Sequence, residues 1–270
     1  MHGDMTDAVS RELIHLSPAA SRLGAVFARP KAIAILCVVV LAGLGWSMLG
    51  LQAASWLDAL CRPLTGNDSG NIAVVVVMWS AMTLAMMLPS AAPMILTYAE
   101  IADTAACKGE PVVSPFAIAA GYTAVWLSFS VVAALAQLGL MHTDLIDSHM
   151  GSGSGMFSAA IFVAAGAYQF SSLKHACLTQ CQNPFTFFFA NWKTTQRSVF
   201  GLGLRQGFYC LGCCWAMMLV MFAVGTMNVI WMAGLGIVMA VEKIGTGKRF
   251  TQSVGVALIA IGVAFALMSV

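Results

Sequence analysis

Long apolar runs divided by short polar stretches set the pattern of the chain. A helix rises 1.5 Å per residue, so about 20 mostly apolar residues are needed to cross a hydrocarbon core of about 30 Å. Seven runs meet that need, at about 31–52, 72–98, 114–141, 156–173, 204–222, 226–242 and 252–269. They predict an all-α fold, a polytopic transmembrane helical bundle. The second and third runs are long enough to tilt or to project beyond the lipid. The fifth and sixth are joined only by Gly225-Thr226-Met227-Asn228, which predicts a tight helical hairpin; without that turn, six spans remain. Residues 31–270 form one transmembrane domain on this reading. Residues 1–30 carry Arg11, Arg22 and Arg29 without an apolar stretch and small-residue cleavage site, and are expected to form a cytoplasmic N-terminal tail.

Composition excludes several classes. The chain is 60% hydrophobic and 9% charged, against about 45–50% and about 25% for soluble domains. With 13 Lys+Arg and 11 Asp+Glu in 270 residues, no water-facing shell could cover a core of this size. A net charge of +2 with no basic run interleaved with aromatics excludes the concentrated footprint that nucleic-acid binding needs. Membrane lipid, a metal ion or another membrane chain remain as partners. Basic residues also set orientation. With the N-terminus inside, 12 of the 13 fall on the cytoplasmic side and only Arg62 outside. The C-terminus is then outside, 143–155 is an external loop, and 174–203 is the largest internal segment.

Eight Cys and 18 Met make sulfur the compositional hint of chemistry. In the second run Met78, Met82 and Met86 follow at i, i+4 and i+8, so they occupy one helical stripe, with Met87 and Met94 nearby. Thioethers are soft donors that suit Cu(I); methionine is equally a filler of irregular gaps in packed helices. Pro89 removes the hydrogen bond to the Ala85 carbonyl, and Pro93 that to Pro89, so free backbone oxygen is expected near Met86 and Met87.

After the fourth run, His175, Cys177 and Cys181 precede an Asn183-Pro184 stop. If the helix continues to that stop, the two thiols lie one turn apart on one face. Two thiols so placed could share one ion or could be buried or interfacial side chains, and His175 could be interfacial too. The fifth run opens with Cys210, Cys213 and Cys214, with Gly207 and Gly212 admitting close neighbours. Three cysteines in five residues are the most informative stretch, although Cys also serves as a small buried hydrophobe. In the deduced orientation all five thiols and Met86, Met87 and Met94 share the cytoplasmic half. Glu242 ends the sixth run beside Lys243, as a ligand or as half of an interfacial ion pair. His142, Asp144, Asp147 and His149 could capture an ion outside or form an ordinary solvated loop. Asn228 is placed to cap the sixth helix, and Gln137 and Gln169 to bridge helices.

Three strings carry a resemblance. They are Ala81-Met82 with Ala85-Met86-Met87-Leu88-Pro89 and Pro93; Ala165-Gly166-Ala167-Tyr168-Gln169 with Leu173-Lys174, Cys177, Cys181 and Pro184; and Gly207, Cys210-Leu211-Gly212-Cys213-Cys214-Trp215, Met221-Phe222, Gly225, Met227-Asn228, Trp231-Met232 and Glu242-Lys243. In combination they resemble a bacterial family of predicted metal-binding integral membrane proteins. The resemblance implies a polytopic helical fold in a bacterial inner (plasma) membrane and a metal site, without a reaction.

The expected function is therefore the handling of a soft metal, Cu(I), by uptake, transfer or delivery to a partner membrane protein or metallochaperone. The candidate ligands are Cys177, Cys181, Cys210, Cys213, Cys214, Met82, Met86, Met87, His175 and Glu242. Copper is favoured over zinc because the donors are sulfur, where zinc draws on His and carboxylate. No Gly-x4-Gly-Lys-Ser/Thr motif is present to drive ATP-dependent pumping, and no catalytic group is assigned. Two other readings stay open. One is a thiol–disulfide oxidoreductase of the membrane, for which Cys210-Leu211-Gly212-Cys213 is the one Cys-x-x-Cys. The other is an accessory or structural subunit of a larger membrane complex.

Overall fold

The structure is a computed structural model that describes residues 39–40, 42–47, 50, 69–141, 155–225, 228–244 and 247–269. Most of the first predicted span, the 1–30 tail, the 143–154 loop with Asp144, Asp147 and His149, His142, and the Thr226-Met227 turn lie outside the described residues. What is described is helical, with no strand among it. We number the elements α1 (Ser69–Cys107), α2 (Pro115–Met141), α3 (Gly155–Tyr168), α4 (Ser172–Gln182), α5 (Pro184–Ala190), α6 (Gln196–Val224), α7 (Val229–Lys243) and α8 (Gly247–Met268).

Four of these, α1, α2, α6 and α8, are long and apolar enough to cross a membrane, and α3 with α4 adds a fifth if that bent pair counts as one span. At 39 residues α1 is about 58 Å long, well beyond a hydrocarbon core of about 30 Å. The predicted fourth span does not run straight to Asn183. It breaks at Gln169–Ser171, and α4 leaves α3 at 63°. The cause is a helix start inside the run: Ser171 has extended backbone and its side chain accepts from the Lys174 amide at 3.1 Å. The Asn183-Pro184 stop does end α4, with Pro184 opening α5. The sixth run yields only 15 residues, capped as expected by Asn228, whose side chain accepts from the Trp231 amide.

Helix pairs follow a consistent direction. Trp79 Nε1 donates to Gln137 Oε1 at 2.7 Å, Thr83 meets Ser130 at 2.9 Å and Tyr122 Oη reaches the Met87 carbonyl, so α1 and α2 are antiparallel. Ser158 donates to the Ala223 carbonyl and Tyr168 to that of Gly212, making α3 and α6 antiparallel. By contrast α2 and α6 run parallel, with Gly203 against Ile118 and Gly121, and Gly207 against Val125 and Tyr122. Those glycines let the backbones meet, and a Cβ at Gly207 would stand 2.8 Å from Val125 Cγ2. Likewise α1 and α7 are parallel, with Met86 on Gly236 and Ser90 on Lys243. Gly166 faces Gly255, and Gly262 faces Ala159 and Val163, so α3 and α8 are antiparallel.

The proline carbonyl is put to use. Pro89 has no amide to offer Ala85, and Trp46 Nε1 donates to that Ala85 oxygen at 3.0 Å. That occupied Ala85 oxygen is the free backbone oxygen expected beside Met86; the Met87 carbonyl, one turn before Ala91, also accepts from Tyr122 at 3.1 Å. Gln137 bridges α1 and α2, and Gln169 Nε2 reaches Met217 Sδ on α6 at 2.9 Å.

Candidate metal centre

The site is built on α6. Cys210, Cys213 and Cys214 occupy about one turn, and their Sγ atoms all lie within 4.8 Å of one another. Each is at most 2% exposed. Cys213 Sγ donates to the Cys210 carbonyl at 3.2 Å and stands 3.3 Å from Cys214 Sγ. Two metal–thiolate bonds of about 2.3 Å hold their sulfurs about 4 Å apart in a trigonal complex and about 4.6 Å apart in a linear one. Cys213 and Cys214, 3.3 Å apart, need to part by about 0.7 Å to share a trigonal ion and by about 1.3 Å to share a linear one.

Three other helices converge on Cys210. From α2, Tyr122 Oη lies 3.0 Å from its sulfur. From the end of α7, Lys243 Nζ also stands 3.0 Å away and donates to Ser90 Oγ of α1 at 2.6 Å. Ser90 in turn donates to the Met87 carbonyl at 2.8 Å. Lys243 is 8% exposed, so its ammonium is the counter-charge that a thiolate at this depth requires.

The second cysteine group arrives on α4. Cys181 is half-buried and borders one small cavity together with Cys210 of α6, so thiols of two helices line the same space. Cys177 packs over Gly212, where an added Cβ would lie 2.6 Å from its Sγ. A cavity of about 20 Å³ opens between the groups, bordered by Ser90, Met94, Tyr122, Cys181, Cys210 and Lys243. That is room for about one water-sized particle.

A model of the PpoB2 copper chaperone family matches residues 76–265. The chain belongs to that family. No curated protein and no solved structure matches it. The matched stretch contains every residue of the cluster, all of α2 to α7 and most of α1 and α8, so the three-thiol group belongs to a metal-binding, copper-handling family.

The remaining predicted ligands are placed differently. Met82, Met86 and Met87 are buried in the core, Met86 against Gly236 of α7. Met94, also buried, is the thioether that borders the cavity. His175 is half-buried on α4 and outside the three-thiol group. Glu242 does not pair with its neighbour Lys243. Its Oε2 accepts from Lys174 Nζ of α4 at 2.8 Å, and its backbone carbonyl accepts from Gln182. The reason is helical geometry: adjacent residues point about 100° apart, so Glu242 turns to α4 and Lys243 to the thiols. Sequence reasoning passed over Tyr122, Ser90 and Lys243 as site residues. Only Lys243 left a signal, a cation at the end of an apolar run with no carboxylate on its own face.

Proposed function

We propose that the chain is a multi-pass membrane protein that carries Cu(I) as cargo, taking it up on thiols and delivering it to a partner. The observation that carries this is the Cys210, Cys213 and Cys214 cluster, buried among helices and supplied with a buried ammonium. A soft monovalent ion fits the donor set. Cu(I) held by two thiolates bears one net negative charge, and Lys243 cancels it, so the loaded centre is neutral in surroundings where an unpaired charge is costly. The group offers three thiols and no His or carboxylate among the described residues, one ligand short of zinc's four-coordinate sites.

The proposed setting is a bacterial inner membrane, with seven spans, the N-terminus in the cytoplasm and the C-terminus outside. The alternating helix directions support it: α1, α3 and α7 run one way, and α2, α6 and α8 the other. Exposed Lys108, Lys193, Arg197, Lys248 and Arg249 gather where the first set ends and the second begins. Large apolar side chains stand exposed on outer faces, among them Val132, Ile237, Val256 and Leu267, as lipid contact requires. The partner in delivery is a metallochaperone or another membrane protein.

The test is copper content after purification under reducing conditions. Wild type is expected to retain copper, and the Cys213→Ser/Cys214→Ser double variant to lose most of it, because serine offers a hard hydroxyl in place of a soft thiolate. Equal copper in both, at equal folded yield, would refute the site and favour an accessory-subunit role.

A further inference from the structure

The three sulfurs of the buried cluster are at most 2% exposed, so an ion cannot reach them directly from water. The cavity beside them has two unlike walls. Cys210, Tyr122, Ser90 and Lys243 form the buried wall, while exposed Pro93 and half-buried Cys181 lie on the outer one. Gln206 borders the same space, is 2% exposed, and its Oε1 has no hydrogen-bond partner, an unsatisfied acceptor left for an occupant. Among the described cysteines, Cys181 alone combines a half-open position with a place on the cavity wall, across the same space from Cys210.

We propose that Cys181 is the receiving ligand, the thiol that first takes Cu(I) from a donor thiolate and passes it through a Cys181–Cys210 bridged state into the buried cluster. This rests on the copper reading above. The step is a ligand exchange with no electron transferred. A copper–sulfur bond to Cys181 forms as the bond to the donor thiolate breaks; then the bond to Cys210 forms and that to Cys181 breaks. Each cysteine that becomes a ligand gives up its proton, and each thiolate that leaves takes one up. Met94 stands on the cavity wall to contribute a weak thioether contact during the exchange.

What holds Cys181 in place is fixed architecture. Lys174 of α4 is clamped to Glu242, Gln182 Nε2 donates to the Glu242 carbonyl at 2.7 Å, and Gln206 Nε2 to the Gln180 carbonyl at 3.3 Å. The thiol thus sits on a short helix bound at both ends, and the bend at Gln169–Ser171 aims that helix across the cluster.

The experiment loads the purified full chain in detergent with Cu(I) supplied as its glutathione complex, following the ultraviolet thiolate-to-copper absorption by stopped flow and the final copper by metal analysis. Cys181→Ser is expected to reach the wild-type copper content while loading at least about tenfold more slowly, the loss that follows when a positioned group is removed from an exchange. Cys107→Ser, at the exposed end of α1, is expected to load at the wild-type rate. A Cys181→Ser protein that loads as fast as wild type overturns the proposal, and so does one whose final copper falls, since Cys181 would then be a storage ligand. Brief treatment of the wild type with N-ethylmaleimide gives an independent check. Cys181 is expected to be modified before Cys210, Cys213 and Cys214, and modification of the buried three first overturns the proposal. Failure of the underlying copper reading is recognised separately, by unchanged copper in the Cys213→Ser/Cys214→Ser variant.

Discussion

The buried Lys174–Glu242 pair offers a stability prediction that separates structural from ligand roles. The two side chains are 0% and 1% exposed and 2.8 Å apart. Glu242 Oε1 has no hydrogen-bond partner, so the carboxylate is only half satisfied. A pair like this repays its desolvation poorly, yet loss of one partner strands the other charge at a cost of about 3–5 kcal/mol. Glu242→Gln and Lys174→Met should therefore each lower the apparent melting temperature in detergent by roughly 6–20 °C, at about 2–4 °C per kcal/mol for a chain of this size. The Lys174→Met/Glu242→Leu double variant removes both charges and should recover most of that loss, because replacement of a buried ion pair by apolar groups is near neutral. A fluorescence-detected thermostability series on the four proteins completes the double-mutant cycle. Copper content of the double variant should match wild type, since the Glu242 carboxylate is occupied by Lys174. Single variants that melt like wild type, or a double variant that loses as much as the two singles added, would refute this account of the clamp; loss of copper from well-folded double variant would make Glu242 a ligand.

Further outcomes follow from the same contacts. Lys243→Met should leave the fold intact and weaken Cu(I) retention against a competing chelator by at least about tenfold, roughly 1.4 kcal/mol, because the loaded centre loses its counter-charge; unchanged retention would remove Lys243 from the site. Gly203→Leu should abolish folded protein in membrane extracts, since α2 and α6 meet backbone to backbone at that glycine and overpacked contacts cost about 1–3 kcal/mol or more. Cysteine probes placed singly at 150 and at 109 should react with an impermeant maleimide from outside and from the cytoplasm, respectively; the reverse pattern would invert the proposed topology.

Much of this was legible from the chain because bilayer-length apolar runs and prolines act locally. The range of α2, the Asn183-Pro184 stop, the Asn228 cap and the freed Ala85 carbonyl all depend on residues within a turn or two, whereas α1 runs nine residues past the end of its apolar run, to Cys107. The Cys210, Cys213 and Cys214 group is likewise local, which is why i, i+3 and i+4 spacing sufficed to find it. The break at Ser171 was obscured because an apolar run outweighs a single capping serine when only hydropathy is read. The network around Cys210 could not be read in advance. Tyr122, Ser90 and Lys243 come from three helices, and nothing in sequence spacing fixes which face of α7 meets α6. The Met82 stripe stayed open to two readings for a related reason: a helical stripe shows that side chains share a face, and burial against Gly236 and the core uses that face as well as an ion would.

The account's central claim is that copper is held by sulfur from the buried cluster, and X-ray absorption at the copper edge tests it most directly. On purified protein loaded with one equivalent of Cu(I), the account predicts the edge of a monovalent ion and a first shell made only of sulfur, with two or three neighbours at about 2.3 Å. The same spectrum from Cys210→Ser/Cys213→Ser/Cys214→Ser protein should retain no such shell. A first shell of nitrogen or oxygen in the wild type, or an unchanged sulfur shell in the triple variant, would contradict it.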